Sequence, residues 1–132
     1  MTRIESEIRE VAKPASEVYS FLSDFRNFSN IMPEQVTDWQ ATADQCSFTI
    51  KGMASLGMKI IERKESEHIT IERDGKAPFD FKLHCVINSS GKNNSTLQLA
   101  FDADLNPMLK LMAEKPLKNF LDLLVDRYSR LA

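Results

Sequence analysis

Residues 105–128, LNPMLKLMAEKPLKNFLDLLVDRY, decide the fold. Asn106 is a strong helix N-cap, and Pro107 suits the first helical position, where its missing N–H has no intrahelical partner to lose. A long helix therefore starts here. Met108, Leu109, Met112, Leu117, Phe120, Leu121, Leu124 and Tyr128 recur at three- and four-residue spacing, opposite Lys110, Lys118, Asp122, Asp126 and Arg130. That gives one apolar stripe which something must cover. Pro116 removes a hydrogen bond and crowds the preceding turn, predicting a kink or brief interruption between Met112 and Lys115.

The covering surface lies upstream, where the hydrophobic period is two. Cys46, Phe48 and Ile50 alternate with polar residues. Leu56, Met58 and Ile60 follow a turn at Gly52, and Ile69 and Ile71 follow a polar turn at Glu65 to His68. Asp74-Gly75 suits a hairpin loop. Phe79, Phe81, Leu83, Cys85 and Ile87 form the longest alternation. A polar loop from Asn88 to Ser95 then leads to Leu97, Leu99, Phe101, Ala103 and Leu105. With a weakly alternating opening strand near Ile4 to Glu10 and another strand from Val36, about seven strands result, joined by short connections. Between the first strand and the rest, Lys13-Pro14-Ala15-Ser16-Glu17 opens a short helix with Val18, Phe21, Leu22 and Phe25 on one side. A second short helix anchored by Phe28 and Ile31 stops at Met32-Pro33.

One strand, two short helices, a strand meander and a terminal helix resemble the START-like superfamily, also called SRPBCC. The residues carrying the resemblance are VAKPASEVYSFLSDFRNF, 11–28, and the 105–128 segment. It implies an α+β helix-grip fold, a curved antiparallel sheet wrapped around the long helix, in a single domain over residues 1–132. Ligand carriers, plant allergens, polyketide cyclases and heat-shock co-chaperones share that fold, so the resemblance implies a container more than an activity.

Bulk properties narrow the functions. With 17 basic and 19 acidic residues the net charge is −2, and no broad positive field exists to attract nucleic acid or anionic lipid. No segment is apolar enough to span a bilayer, and the charged, interrupted pattern of Met1 to Lys13 is unlike a signal peptide. Cys46 and Cys85 sit inside apolar alternations, as reduced buried thiols do, so a cytoplasmic protein is expected. No metal cluster or cofactor motif is present in the sequence. A homodimer stays open.

The inward parity of the strands is almost wholly apolar. It supplies no catalytic constellation, so no catalytic residue is assigned. Met58, Phe81, Leu99, Phe101, Met108 and Met112 are expected to line a cavity between sheet and helix, the methionines adapting to the ligand or simply filling the core. Glu62 and Arg73 continue the inward parity. Either Arg73 anchors a ligand carboxylate with Glu62 orienting it, or both reach water as a surface pair. Gly52, Met53, Ala54, Ser55 and Gly57 suggest a mobile gate, Trp39 a cavity or rim residue, and His68 and His84 solvated side chains. Three functions follow. The first is binding of a small hydrophobic, lipid-like or polyketide-like ligand without catalysis. The second is a cyclase- or dehydratase-like enzyme, which needs Arg73, Glu62, Tyr19 or Asp104 turned inward. The third is a protein-interaction or co-chaperone-type module with a mostly filled interior.

Overall fold

A computed structural model describes residues 1–52, 54–75 and 77–131. Eight antiparallel strands form one sheet: β1 Thr2–Glu5, β2 Arg9–Val11, β3 Val36–Ala41, β4 Gln45–Ile50, β5 Ala54–Lys64, β6 His68–Arg73, β7 Phe81–Gly91 and β8 Asn94–Ala103. The spatial order is β1–β8–β7–β6–β5–β4–β3, and β2 also pairs with β8. The helix α1, Ala15–Leu22, and a 3₁₀ helix, Phe25–Asn30, follow β2, and α2, Pro107–Leu131, closes the chain. This is the α+β helix-grip architecture. No helix among the described residues is long and apolar enough to cross a membrane.

The strand count exceeds the expected seven because the opening strand is split at Ser6. Its N–H donates to the Leu99 carbonyl, while its Oγ accepts from the Leu99 N–H at 2.9 Å, so β8 stays hydrogen-bonded where the edge chain bends. The expected loop at Asn88 to Ser95 is instead the end of a long hairpin. β7 and β8 stay paired out to Gly91 and Asn94, because polar side chains on strands that project into water cost nothing.

Local chemistry sets the helix starts. The Asn106 Oδ1 accepts from the Leu109 N–H at 2.9 Å, the N-cap its sequence promised. Asp24 caps the 3₁₀ helix by accepting from the Arg26 N–H. Pro14 sits at the N-cap of α1, one position before the first helical residue. The kink or interruption expected at Pro116 takes the form of neither a gap nor a second helix, since α2 is continuous from Pro107 to Leu131. Pro116 lies on the exposed side of the helix, where water can reach the Met112 carbonyl that the proline cannot bond.

The core lies between the concave face and α2. The inward residues of β4 to β8 are mostly buried, with Ile60 half-buried and Arg73 at the end of β6 exposed; Leu117, Phe120, Leu121, Leu124, Val125 and Tyr128 of the helix are buried too. Phe25, Phe28, Trp39 and Phe48 form a run of ring contacts at one end. Trp39 turns into it because β3 is irregular between Thr37 and Gln40, where Asp38 has a φ of 56°. Cys46 and Cys85 are buried free thiols, and burial pushes both up to about 12.

Candidate functional site

The interior expected to hold a ligand is nearly full. An enclosed space of about 20 Å³ remains, bordered by Met58 and Phe101 among apolar side chains including Phe28, Phe48, Leu117 and Phe120. A single water needs roughly 10–15 Å³ and several polar partners, which this lining does not offer, so the void is dry. Its smallness has a simple cause. Leu117, Phe120, Leu121 and Leu124 of α2 project into the concave face and occupy the space themselves.

Directly above lies a much larger opening. A cleft of about 540 Å³ separates the first half of α2 from the β4 end and the Pro78–Phe79 segment. Leu109, Met112, Ala113, Pro116 and Phe120 form its helical wall, Ile50 and Phe79 its opposite wall, and Gln35, Lys51 and Asn119 its polar fringe. Ile50 and Phe120 border both the cleft and the void, so these two side chains are the floor between them. The cleft exists because α2 packs on β1, β2 and β8 and has no buried residue before Ala113, so its first turns stand away from β4 and β5.

The named candidates separate accordingly. Met58 and Phe101 border the void, whereas Phe81 and Leu99 are core residues bordering neither space. Met112 stands on the cleft's lip at 70% exposure, and Met108, 71% exposed, borders neither. Both methionines lie off the buried stripe because the inward face of the first turns is carried by Leu109, Ala113 and Leu117.

Glu62 and Arg73 are not a pair. The β5–β6 register shifts between Ile60 and Glu62, so Ile60 faces Ile71 but Glu62 faces the outward residue Thr70. One extra residue on a strand reverses the parity beyond it. Arg73 keeps its parity but bends away to Asp80, with Nε 2.8 Å from Oδ1 and 42% of its side chain exposed. Tyr19 and Asp104 border neither space. Of the expected gate, Gly52 borders the cleft at a φ of 77°, but Ala54, Ser55 and Gly57 belong to β5, and Met53 lies outside the described residues.

His68 and His84, expected as solvated side chains, are instead part-buried and join a polar chain across the convex face, because His68 opens β6 and lies beside β7. Arg3 donates to both carboxylate oxygens of Asp102 at 3.1 Å. His84 Nε2 lies 3.2 Å from that carboxylate, and its Nδ1 lies 3.0 Å from His68 Nε2. The partners assign the protons. His84 donates to Asp102 through Nε2 and accepts from His68 through Nδ1. Burial holds the His68 imidazole below its usual value, helped by His84, Lys64 and Arg3 and opposed by Glu62. An imidazole that binds its proton more weakly when folded leaves stability unchanged above its unfolded value of about 6.5. Stability then falls as the pH drops below that value, and levels off once the folded imidazole is also protonated. Urea unfolding between pH 8 and pH 5 should show this acid loss, and His68→Gln should reduce it. An unchanged pH slope in the variant would assign the loss to other groups.

No family model matches the chain, and no curated protein does. Solved structures match in fold. A START superfamily protein from Mycobacterium smegmatis superposes with a TM-score of 0.73 at 18% identity, covering 98% of this chain and 99% of its own. Norcoclaurine synthase from Thalictrum flavum, solved with dopamine and hydroxybenzaldehyde, gives 0.73 at 13% identity over 98% of this chain and 85% of its own. The di-domain ARO/CYC BexL gives 0.70 at 12% identity, with 97% of this chain covering 46% of that one. The chain has the START-like helix-grip fold that these proteins share.

Proposed function

We propose that this START-like helix-grip domain binds a small hydrophobic molecule, lipid-like or polyketide-like, in the cleft between α2 and the β4 end. One observation carries the proposal: the fold leaves an apolar opening of about 540 Å³ directly over its core, within the usual size of ligand sites. The walls provide apolar contact, and Lys51, Gln35 and Asn119 provide a fringe to orient a polar end. Lys51 is the only titratable side chain among the described residues bordering cleft or void, so binding without catalysis is the better supported activity. Reduced, buried Cys46 and Cys85 favour a cytoplasmic setting. The tightness of the interior favours a second reading, in which the domain works through its surface as an interaction module.

Titration with the fluorescent apolar probe 1-anilinonaphthalene-8-sulfonate tests the first reading. Saturable one-site binding is expected. Asn119→Trp, which fills the cleft from an exposed position, should weaken it by about tenfold, roughly 1.4 kcal/mol. No saturable binding, or equal affinity in the variant, would remove the cleft as the site.

A further inference from the structure

The first half of α2 is apolar on two sides. Leu109, Ala113 and Leu117 face inward, while Met108, Leu111 and Met112 face water at 71%, 87% and 70% exposure. Spacing of i, i+3 and i+4 puts these three on one outward stripe. The other large exposed hydrophobics among the described residues, such as Ile8 and Ile61, occur singly, as they do on any protein surface. Three within five residues form a patch.

Charge identifies what covers it. Residues 107–118 carry Lys110, Lys115 and Lys118 against the single acid Glu114, on a chain whose net charge is −2. Lys118 is tied to Asp122 at 3.0 Å, but Lys110, Lys115 and the nearby Lys51 make no ion pair among the described residues. The two acids that follow on the helix are held elsewhere. Asp122 accepts from the Glu7 N–H, and Asp126 pairs with Arg9 and Arg130. An exposed apolar stripe flanked by free ammonium groups on long flexible stems is the arrangement that enters an anionic bilayer interface, with the apolar side chains among the acyl boundary and the lysines at the phosphates. A twofold self-contact on the same stripe would bring Lys110 and Lys115 of two copies together, which like-charge repulsion opposes.

We propose that the outward stripe Met108–Leu111–Met112 with Lys110 and Lys115 docks this domain reversibly on an anionic lipid surface. The stripe shares Met112 with the wall of the cleft, whereas Leu111 borders neither cleft nor void, so a substitution at Leu111 alone separates docking from ligand binding. The bilayer surface is one partner, and the helix lies on it rather than crossing it.

Co-sedimentation of the full chain with vesicles of phosphatidylcholine alone, or of phosphatidylcholine and phosphatidylglycerol in equal parts, is the test. Binding is expected to the mixed vesicles only, and weaker at high salt. Met108→Ser/Leu111→Ser/Met112→Ser should lower the partition coefficient by at least about tenfold. Lys110→Glu/Lys115→Glu should lower it by roughly fivefold or more per lysine. All these positions are exposed, so the variants should keep the native circular dichroism. Leu111→Ser alone, at the most exposed position, provides a milder variant with the same direction of effect. Three results would overturn the proposal: wild-type protein left in the supernatant with both vesicles, variants that sediment like the wild type, or a lipid-free dimer in sedimentation velocity that the triple serine variant abolishes. The last would make the stripe an interface between copies.

Discussion

Gly57→Ala is expected to cost the fold roughly 2–3 kcal/mol, the upper part of the range for forcing atoms into filled space. Gly57 lies in β5 opposite Ser47, and its carbonyl accepts from the Asp74 N–H at 2.8 Å. A Cβ added there would fall on the Asp74 carbonyl oxygen. That oxygen belongs to backbone, so no side-chain rotation makes room. Either the hydrogen bond beyond the end of β6 breaks or β5 shifts against β4. For a chain of this length the loss corresponds to a drop in Tm on the order of 10 °C. Gly91→Ala is the control, since its added Cβ meets only Asn94 side-chain atoms at 3.8 Å, an ordinary contact. Thermal unfolding of the two variants side by side decides the matter. Equal Tm values would show that the Gly57 approach relaxes without cost.

The larger expected effect at the site itself comes from Phe120→Ala. Phe120 is 8% exposed and stands between the 540 Å³ cleft and the 20 Å³ void. Removing a buried phenylalanine ring costs about 3–5 kcal/mol, and the lower end applies here because the space opens to the cleft and is not sealed. The substitution also joins cleft and void into one deep pocket with a ring-shaped vacancy at its base. Benzene or toluene should therefore raise the Tm of the variant in a concentration-dependent way, because ligand that binds only the folded state stabilises it by mass action. The wild type should show no such rise. A variant that is destabilised yet indifferent to both compounds would mean that Leu117, Leu121 and Leu124 have collapsed into the vacancy, and that Phe120 is packing and not a floor.

The parts of this fold legible in sequence were those carried by periodicity. The alternation from Phe81 to Ile87 and from Leu97 to Ala103 reads directly onto β7 and β8, and Asn106-Pro107 marks the start of α2. What escaped depends on register or on tertiary position. Nothing in the residues around Ile61 distinguishes a regular strand from one with an irregularity, yet that one step turns Glu62 outward to Thr70. His68 and His84 meet only because Thr70, not His68, stands directly opposite His84, which places the two imidazoles on a diagonal. Met108 and Met112 satisfy a helical stripe on paper, but Leu109 and Ala113 satisfy a second one, and only the distance of α2 from the sheet selects between them. The cleft was unreadable for the same reason.

The pairing of β1 with β8, with Thr2 opposite Ala103 and Glu5 opposite Ala100, has a kinetic meaning. The strand made first has no neighbour until the strand made last has left the ribosome, and α2, which covers both, comes later still. Residues 2–11 must therefore wait unpaired through most of synthesis. The alternating charges Arg3, Glu5, Glu7, Arg9 and Glu10 suit that wait, since a charged strand is a poor template for aggregation. Closure between distant parts of the chain sets the pace in such topologies, so folding belongs in the millisecond-to-second class and completes only when the C-terminal helix is available.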